Sequence, residues 1–215
     1  MTSNLVKTHC RTLNTPMVLV NFLASKLARL KFNLLSLILI RRGRNISIGS
    51  GLALSGVPIL ILTKNSQLTI GSNCTLLSSL TSNGLGIQHP IIFYTLRGGS
   101  KIVIGNSVGI SGGSFCAATS IRIGDNSILG ANVTIADSDF HPVNPEMRRS
   151  GSKAVASAAV TIGSNVFIGT GCTVLKGVTI GNDSVIGAGS VVTRDIPVGV
   201  VAAGNPCVVI RNVHG

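Results

Sequence analysis

The 215-residue chain contains no tryptophan, and aromatic side chains make up 3% of it. Charged residues reach 11%, less than half of the quarter usual in globular proteins. Acidic residues number six, and the first of them is Asp125. With so few aromatics there is no basic stripe interleaved with rings, which single-stranded nucleic acid would need. Low charge beside 45% hydrophobic residues excludes a disordered chain. The five cysteines (10, 74, 116, 172 and 207) form no CxxC pair and no disulfide framework, which fits a reducing, cytoplasmic setting. Neither a P-loop nor a GxGxxG is present, so nucleotide binding of those kinds has no support. Long apolar runs are missing too. Within residues 17–40 the longest charge-free apolar core is Leu34–Ile40, far short of a membrane span.

The formal net charge of +12 is unevenly placed: eight of the 18 basic residues precede residue 50. The excess therefore belongs to an amino-terminal appendage, residues 1–44. It suits an anionic membrane surface or a phosphorylated ligand better than duplex nucleic acid. Leu23, Leu27, Leu30 and Leu34 fall at i, i+4, i+7 and i+11, an apolar helical stripe. Lys26, Arg29 and Lys31 interrupt it, and Arg41, Arg42 and Arg44 follow, the reverse order of a secretory signal. Such a helix either lies in a membrane interface, giving residues 17–44 a peripheral contact at the inner face, or packs on the main domain or a neighbouring subunit.

The rest of the chain is organised by a period of six. Ile162, Ile168, Val174, Ile180, Ile186 and Val192 keep that spacing, and glycine follows four of them. Four positions after the first five stand Val166, Cys172, Val178, Ser184 and Ser190, all small or β-branched. Ile104-Gly105 with Ile110, and Ile123-Gly124 with Leu129-Gly130 and Ile135, repeat the pattern upstream. Six residues fit one short strand plus a corner, and three such units close a triangular coil of 18. The aliphatic residue points inward, and Gly or Asn gives the corner its backbone freedom. Residues 45–203 then form a solenoid of seven to eight coils, with residues 204–215 as a tail.

The register breaks between Ile135 and Ile162, a gap that six does not divide, so a loop is extruded over residues 137–159. It holds His141 and three of the six acids, Asp137, Asp139 and Glu146. A polar loop thrown from a regular solenoid is where function is expected. A second irregular stretch, residues 82–97, carries His89-Pro90 as a second substrate-site candidate.

The repeat resembles the hexapeptide-repeat acyltransferases, whose all-β fold is a left-handed parallel β-helix, here with a helical appendage. The loop sequence DFHPVNPEMR resembles the active-site loop of sugar O-acetyltransferases of the galactoside and maltose type. That resemblance implies His141 as the catalytic base. An imidazole titrating near neutrality can take the proton of a sugar hydroxyl as it attacks a thioester. Asp137, Asp139 or Glu146 would orient the ring, and the family's HPxxxE pattern favours Glu146, leaving Asp139 to the substrate. Arg148 either binds substrate or pairs with Glu146. The galactoside enzymes carry a sugar-binding Asn where Ser111 stands here, which looks more like transferases of polysaccharide and lipopolysaccharide assembly.

The same resemblance implies acetyl-CoA as donor, with no metal. It would lie in a groove between subunits of a homotrimer, along Thr170, Ala188, Thr193, Arg194 and Arg211. Where the family has a further basic residue near the carboxyl end, this chain has Val208. N-acetylation of an amino sugar, O-acetylation of serine, and a purely structural solenoid are the alternatives. Carbonic anhydrases of this fold need three histidine ligands, and only His89 and His141 lie within the solenoid, so that reading fails.

Overall fold

The structure, a computed structural model, describes residues 15–41, 43–151 and 154–215. His9, Cys10 and Arg42 lie outside the described residues. The chain opens with α1 (Thr15–Arg41) and then winds through short strands separated by tight corners. The first coil is β1 (Asn45–Ile48), β2 (Ala53–Ser55) and β3 (Ile59–Ile61); the second is β4 (Gln67–Ile70), β5 (Thr75–Leu77) and β6 (Ile92–Thr95). The third is β7 (Lys101–Ile104), β8 (Gly109–Ser111) and β9 (Ser114–Ala117). The fourth is β10 (Ser120–Ile123), β11 (Ile128–Ala131) and β12 (Thr134–Ala136). After the extruded loop with its short α2 (Pro145–Arg149), the fifth coil is β13 (Val160–Ile162), β14 (Phe167–Ile168) and β15 (Thr173–Val174). The sixth is β16 (Thr179–Ile180), β17 (Val185–Ile186) and β18 (Val191–Val192).

Equivalent strands of successive coils pair in parallel, giving three sheets that wall a triangular β-helix. The inward isoleucines stack in register, as Ile104, Ile123, Ile162 and Ile180 do in the first sheet, and all four are buried. On the third sheet Phe93 and Phe115 pack ring against ring at 5.4 Å. Several corners after an Ile-Gly pair use a left-handed polar residue, Asn73, Ser107, Asn126, Asn165 or Asp183, with φ between 56° and 60°. Short polar side chains tolerate that conformation. They also bond from coil to coil: Asn165 Nδ2 donates to Asp183 Oδ1 at 2.9 Å.

Among the described residues there are six complete coils, not seven to eight. A partial seventh follows, made of a bridge from Ile180 to Ile196 and of β19 (Val200–Ala203). The difference comes from the second irregular stretch. Gln67 pairs with Lys101, 34 residues on rather than 18, so the excursion between β5 and β6 uses up nearly a coil of chain. Residues 204–215 are joined to the solenoid, because β20 (Val208–Asn212) runs antiparallel on β19.

A solenoid must cover its ends. At the amino-terminal end α1 does so: wholly buried Phe32, with Ala28, joins Leu52, Leu54 and Leu62 of the first coil in the core. The helix thus packs on the main domain, but not through the leucine stripe, which faces outward. Cys74 and Cys172 occupy the small inward positions; burial pushes both thiols up from their ordinary pKa.

Candidate functional site

The extruded loop is built rather than slack. Asp137 ends the fourth coil with its side chain wholly buried, and its carboxylate accepts the N–H groups of Ala118, Thr119 and Ser120 at 2.5, 2.7 and 2.7 Å. A neck of antiparallel pairing follows: Ala158 N–H donates to Asp137 O, Asp139 N–H to Ala156 O, and Ser138 bridges Ser157. From two coils away, the Arg97 guanidinium donates to Val155 O at 3.3 Å. Asp139 pairs with Lys176 of the next coil, Oδ1 to Nζ at 2.6 Å.

Immediately before the histidine, Phe140 takes φ 60°, an unusual conformation for an aromatic residue. It turns the chain so that His141 N–H meets Asp139 O at 2.7 Å. Asn144 then caps α2, accepting from the N–H groups of Glu146 and Met147, with Pro145 at the first helical position. Arg148 reaches back to donate to Pro142 O and Val143 O at 3.2 and 3.1 Å, closing α2 onto the histidine segment. It pairs with those carbonyls and not with Glu146.

The His141 side chain is exposed, and among the described residues its ring makes no hydrogen bond. Of the three acids, Asp137 is occupied by three amides and Asp139 by Lys176. Of the three, only the Glu146 carboxylate is unpaired among the described residues, five residues after His141 in sequence.

The expected site residues divide between two edges of the third sheet. At the edge where it passes to the next coil's first sheet lie the loop with Asp139, His141, Glu146 and Arg148, then Lys176, then Thr193 and Arg194 after β18. Both Thr193 and Arg194 are exposed. At the opposite edge, where the second sheet turns into the third, lie His89, Ser111, Thr170 and Ala188. Thr170 and Ala188 stack one coil apart at consecutive corners. Ser111 ends β8 just before Gly112 and Gly113, both at positive φ. A side chain at Gly112 would collide with Ile87 and crowd the His89 carbonyl, so His89 and Ser111 are neighbours. Asn132 holds that excursion in place, accepting from Gln88 N–H and donating to Gly86 O. Arg211 lies apart from both groups, on β20 at the end of the second sheet, with its guanidinium turned to Asn212 O. One chain therefore assembles two partial constellations and does not join them.

Lys176, Asn132 and Arg97 escaped sequence reasoning. Lys176 had a signal, being the only basic residue between 154 and 193. Asn132 had none, since it looks like any other corner asparagine. Among the described residues no three His, Cys, Asp or Glu side chains gather as a metal-binding group.

Comparison with known proteins places this geometry. Residues 159–194 match the bacterial transferase hexapeptide (six repeats), and residues 101–136 match the hexapeptide repeat of succinyl-transferase. The chain is 40% identical over 154 residues to a galactoside O-acetyltransferase of Lactococcus lactis, covering 71% of this chain and 67% of that protein. It is 50% identical over 94 residues to the galactoside O-acetyltransferase of Escherichia coli, covering 44% and 45%. It thus spans about two thirds of the first relative and under half of the second. Among solved structures, a mutant of AntD, an N-acyltransferase from Bacillus cereus in complex with dTDP and coenzyme A, matches with a TM-score of 0.59. Identity there is 18%, over 77% of this chain and 83% of that one, so the likeness concerns the fold, a left-handed parallel β-helix. With a repeat of this register, a braced histidine loop and relatives of this kind, the chain belongs to the hexapeptide-repeat acyltransferases, in their sugar O-acetyltransferase-like group.

Proposed function

We propose that this enzyme moves the acetyl group of acetyl-CoA to a hydroxyl of a saccharide in surface-polysaccharide assembly, with His141 as general base. The observation that carries the reading is His141 itself: an exposed ring with no hydrogen bond among the described residues, on a loop braced at Asp137, Asp139 and Arg148. A hydroxyl placed at its ring nitrogen gives up its proton as the oxygen attacks the thioester carbonyl. The C–S bond then breaks, and the imidazolium returns the proton to the departing sulfur. In the working complex Glu146, the acid left unpaired among the three of the loop, turns to orient the ring and stabilises its charged form. Ser111 and His89 lie at the edge suited to the acceptor, and the small corners at half-buried Thr170 and exposed Ala188 let a pantetheine arm approach closely. Arg194 offers a cation to the nucleotide phosphates.

Because the two groups of residues lie on opposite edges of one sheet, the working site combines one edge from each of two chains. A closed homotrimer supplies three such sites. It would also cover exposed Ile128 and Phe167, which pair in register on the outer face of the second sheet.

Release of free thiol from acetyl-CoA, measured against galactosides, nucleotide sugars and oligosaccharides, tests the activity. Turnover is expected with a saccharide hydroxyl, and no turnover with any member of the panel overturns the reading. Mixing His141→Ala chains with Ala188→Trp chains tests the shared site. Random reassembly should restore about a quarter of wild-type rate, because that share of interfaces joins two intact edges. Mixtures as inactive as their parents would show that each chain works alone. Arg194→Ala should raise the KM for acetyl-CoA more than it lowers kcat.

A further inference from the structure

α1 uses one face to cap the solenoid and leaves the other bare. Phe32 and Ala28 are buried against the first coil, and Ser36 is buried on the same side. With 3.6 residues per turn, Leu23, Leu27, Leu30 and Leu34 fall on the side opposite Phe32. Their exposures are 55%, 52%, 66% and 58%, and Leu37 and Ile38 extend the stripe at 47% and 42%. On the helical wheel Lys26 borders this stripe on one side and Lys31 on the other, both exposed. No acidic residue occurs before Asp125, so a second copy of this helix would bring the same positive charge and no counter-charge. Among the described residues no helix is long and apolar enough to cross a membrane.

A leucine stripe edged by lysines and free of acids matches a helix lying in a lipid interface. The leucines reach the acyl boundary, while the lysine stems lie along it and hold their ammonium groups at anionic phosphates. We propose that α1 docks this protein on an anionic lipid surface through Leu23, Leu27, Leu30 and Leu34, with Lys26 and Lys31 at the headgroups. Leu27 and Lys31 also border a groove between α1 and the first two coils, so docking brings that end of the solenoid toward the lipid. The proposal does not depend on the acceptor.

The full chain is sedimented with phosphatidylcholine vesicles containing phosphatidylglycerol, and with pure phosphatidylcholine vesicles. Binding to the anionic vesicles should be the stronger and should weaken with added salt. Replacing two exposed leucines, Leu30→Gln with Leu34→Gln, should lower the partition coefficient about tenfold or more. Lys31→Gln should lower it about fivefold. Unchanged melting curves would show that these variants keep their fold. The chain lacks tryptophan, so Leu30→Trp gives a unique fluorophore, whose emission should shift to the blue on anionic vesicles alone. The proposal is overturned if wild type ignores the anionic vesicles or if the double leucine variant binds them equally well. It is likewise overturned if wild type ignores the vesicles and the leucine changes instead lower the assembly mass by light scattering. That result would make the stripe a contact between copies.

Discussion

Replacing His141 by alanine should lower kcat by about 10²–10⁴-fold, the range over which a general base contributes. The loss should fall on the chemical step. His141 is exposed, and its ring makes no hydrogen bond among the described residues, so its removal disturbs no packing. The loop remains held at its neck by Asp137 and Asp139 and at its tip by Arg148. Affinity for acetyl-CoA, measured by calorimetry, should therefore change little, and the melting temperature should stay at the wild-type value. A variant keeping more than half of the wild-type rate would remove His141 from the mechanism. Glu146→Gln should cost less than His141→Ala, since an uncharged amide still accepts a hydrogen bond but cannot balance an imidazolium.

Asp137→Ala should be the most damaging substitution for stability in the loop region. Its carboxylate is wholly buried and accepts from three consecutive N–H groups, those of Ala118, Thr119 and Ser120. Removing it leaves those donors unsatisfied, at about 1–3 kcal/mol each. Three such donors sum to roughly 3–9 kcal/mol, and the lower end of that range alone would lower the melting temperature by about 10 °C in a chain of this size. Proteolysis should open first within residues 137–159, because the same residue ties the loop's neck to the coil above. Asn in its place should recover only part of the loss, since the amide carries one acceptor oxygen where the carboxylate has two. A melting temperature within about 2 °C of wild type would mean that the three amides find other partners.

The two carboxylates illustrate what sequence can and cannot separate. Asp137 and Asp139 stand two residues apart in the same polar loop, and both were candidates to orient His141. Nothing in their spacing reveals that one turns inward onto three amides while the other meets Lys176, which is 37 residues away in sequence. Glu146 was favoured from the loop pattern, and the structure leaves it as the unpaired acid by occupying the other two. Arg148 went the other way: its position suggested substrate or Glu146, whereas its guanidinium closes the loop on Pro142 and Val143.

The leucine stripe of α1 shows a similar limit. Periodicity correctly marked an apolar face, but a helix with small residues on its other side can dock through either. Phe32 and Ala28 won because a large ring flanked by small residues fits the open triangular end of the core.

A strict six-residue period was enough to determine a triangular parallel coil, its inward aliphatic ladder and the place where the coil is interrupted. The reason is local: each strand and corner is complete within six residues, and each coil meets only its neighbours. The number of coils, the partners of Asp137 and Asp139, the docking face of α1 and the separation of the site residues onto two edges were decided only in three dimensions. The extruded loop and the excursion between β5 and β6 break the register, so contacts across them, such as Asp139 with Lys176, follow no period. His89 and Ser111 come together across an excursion of irregular length, held by Asn132, 44 residues beyond Gln88.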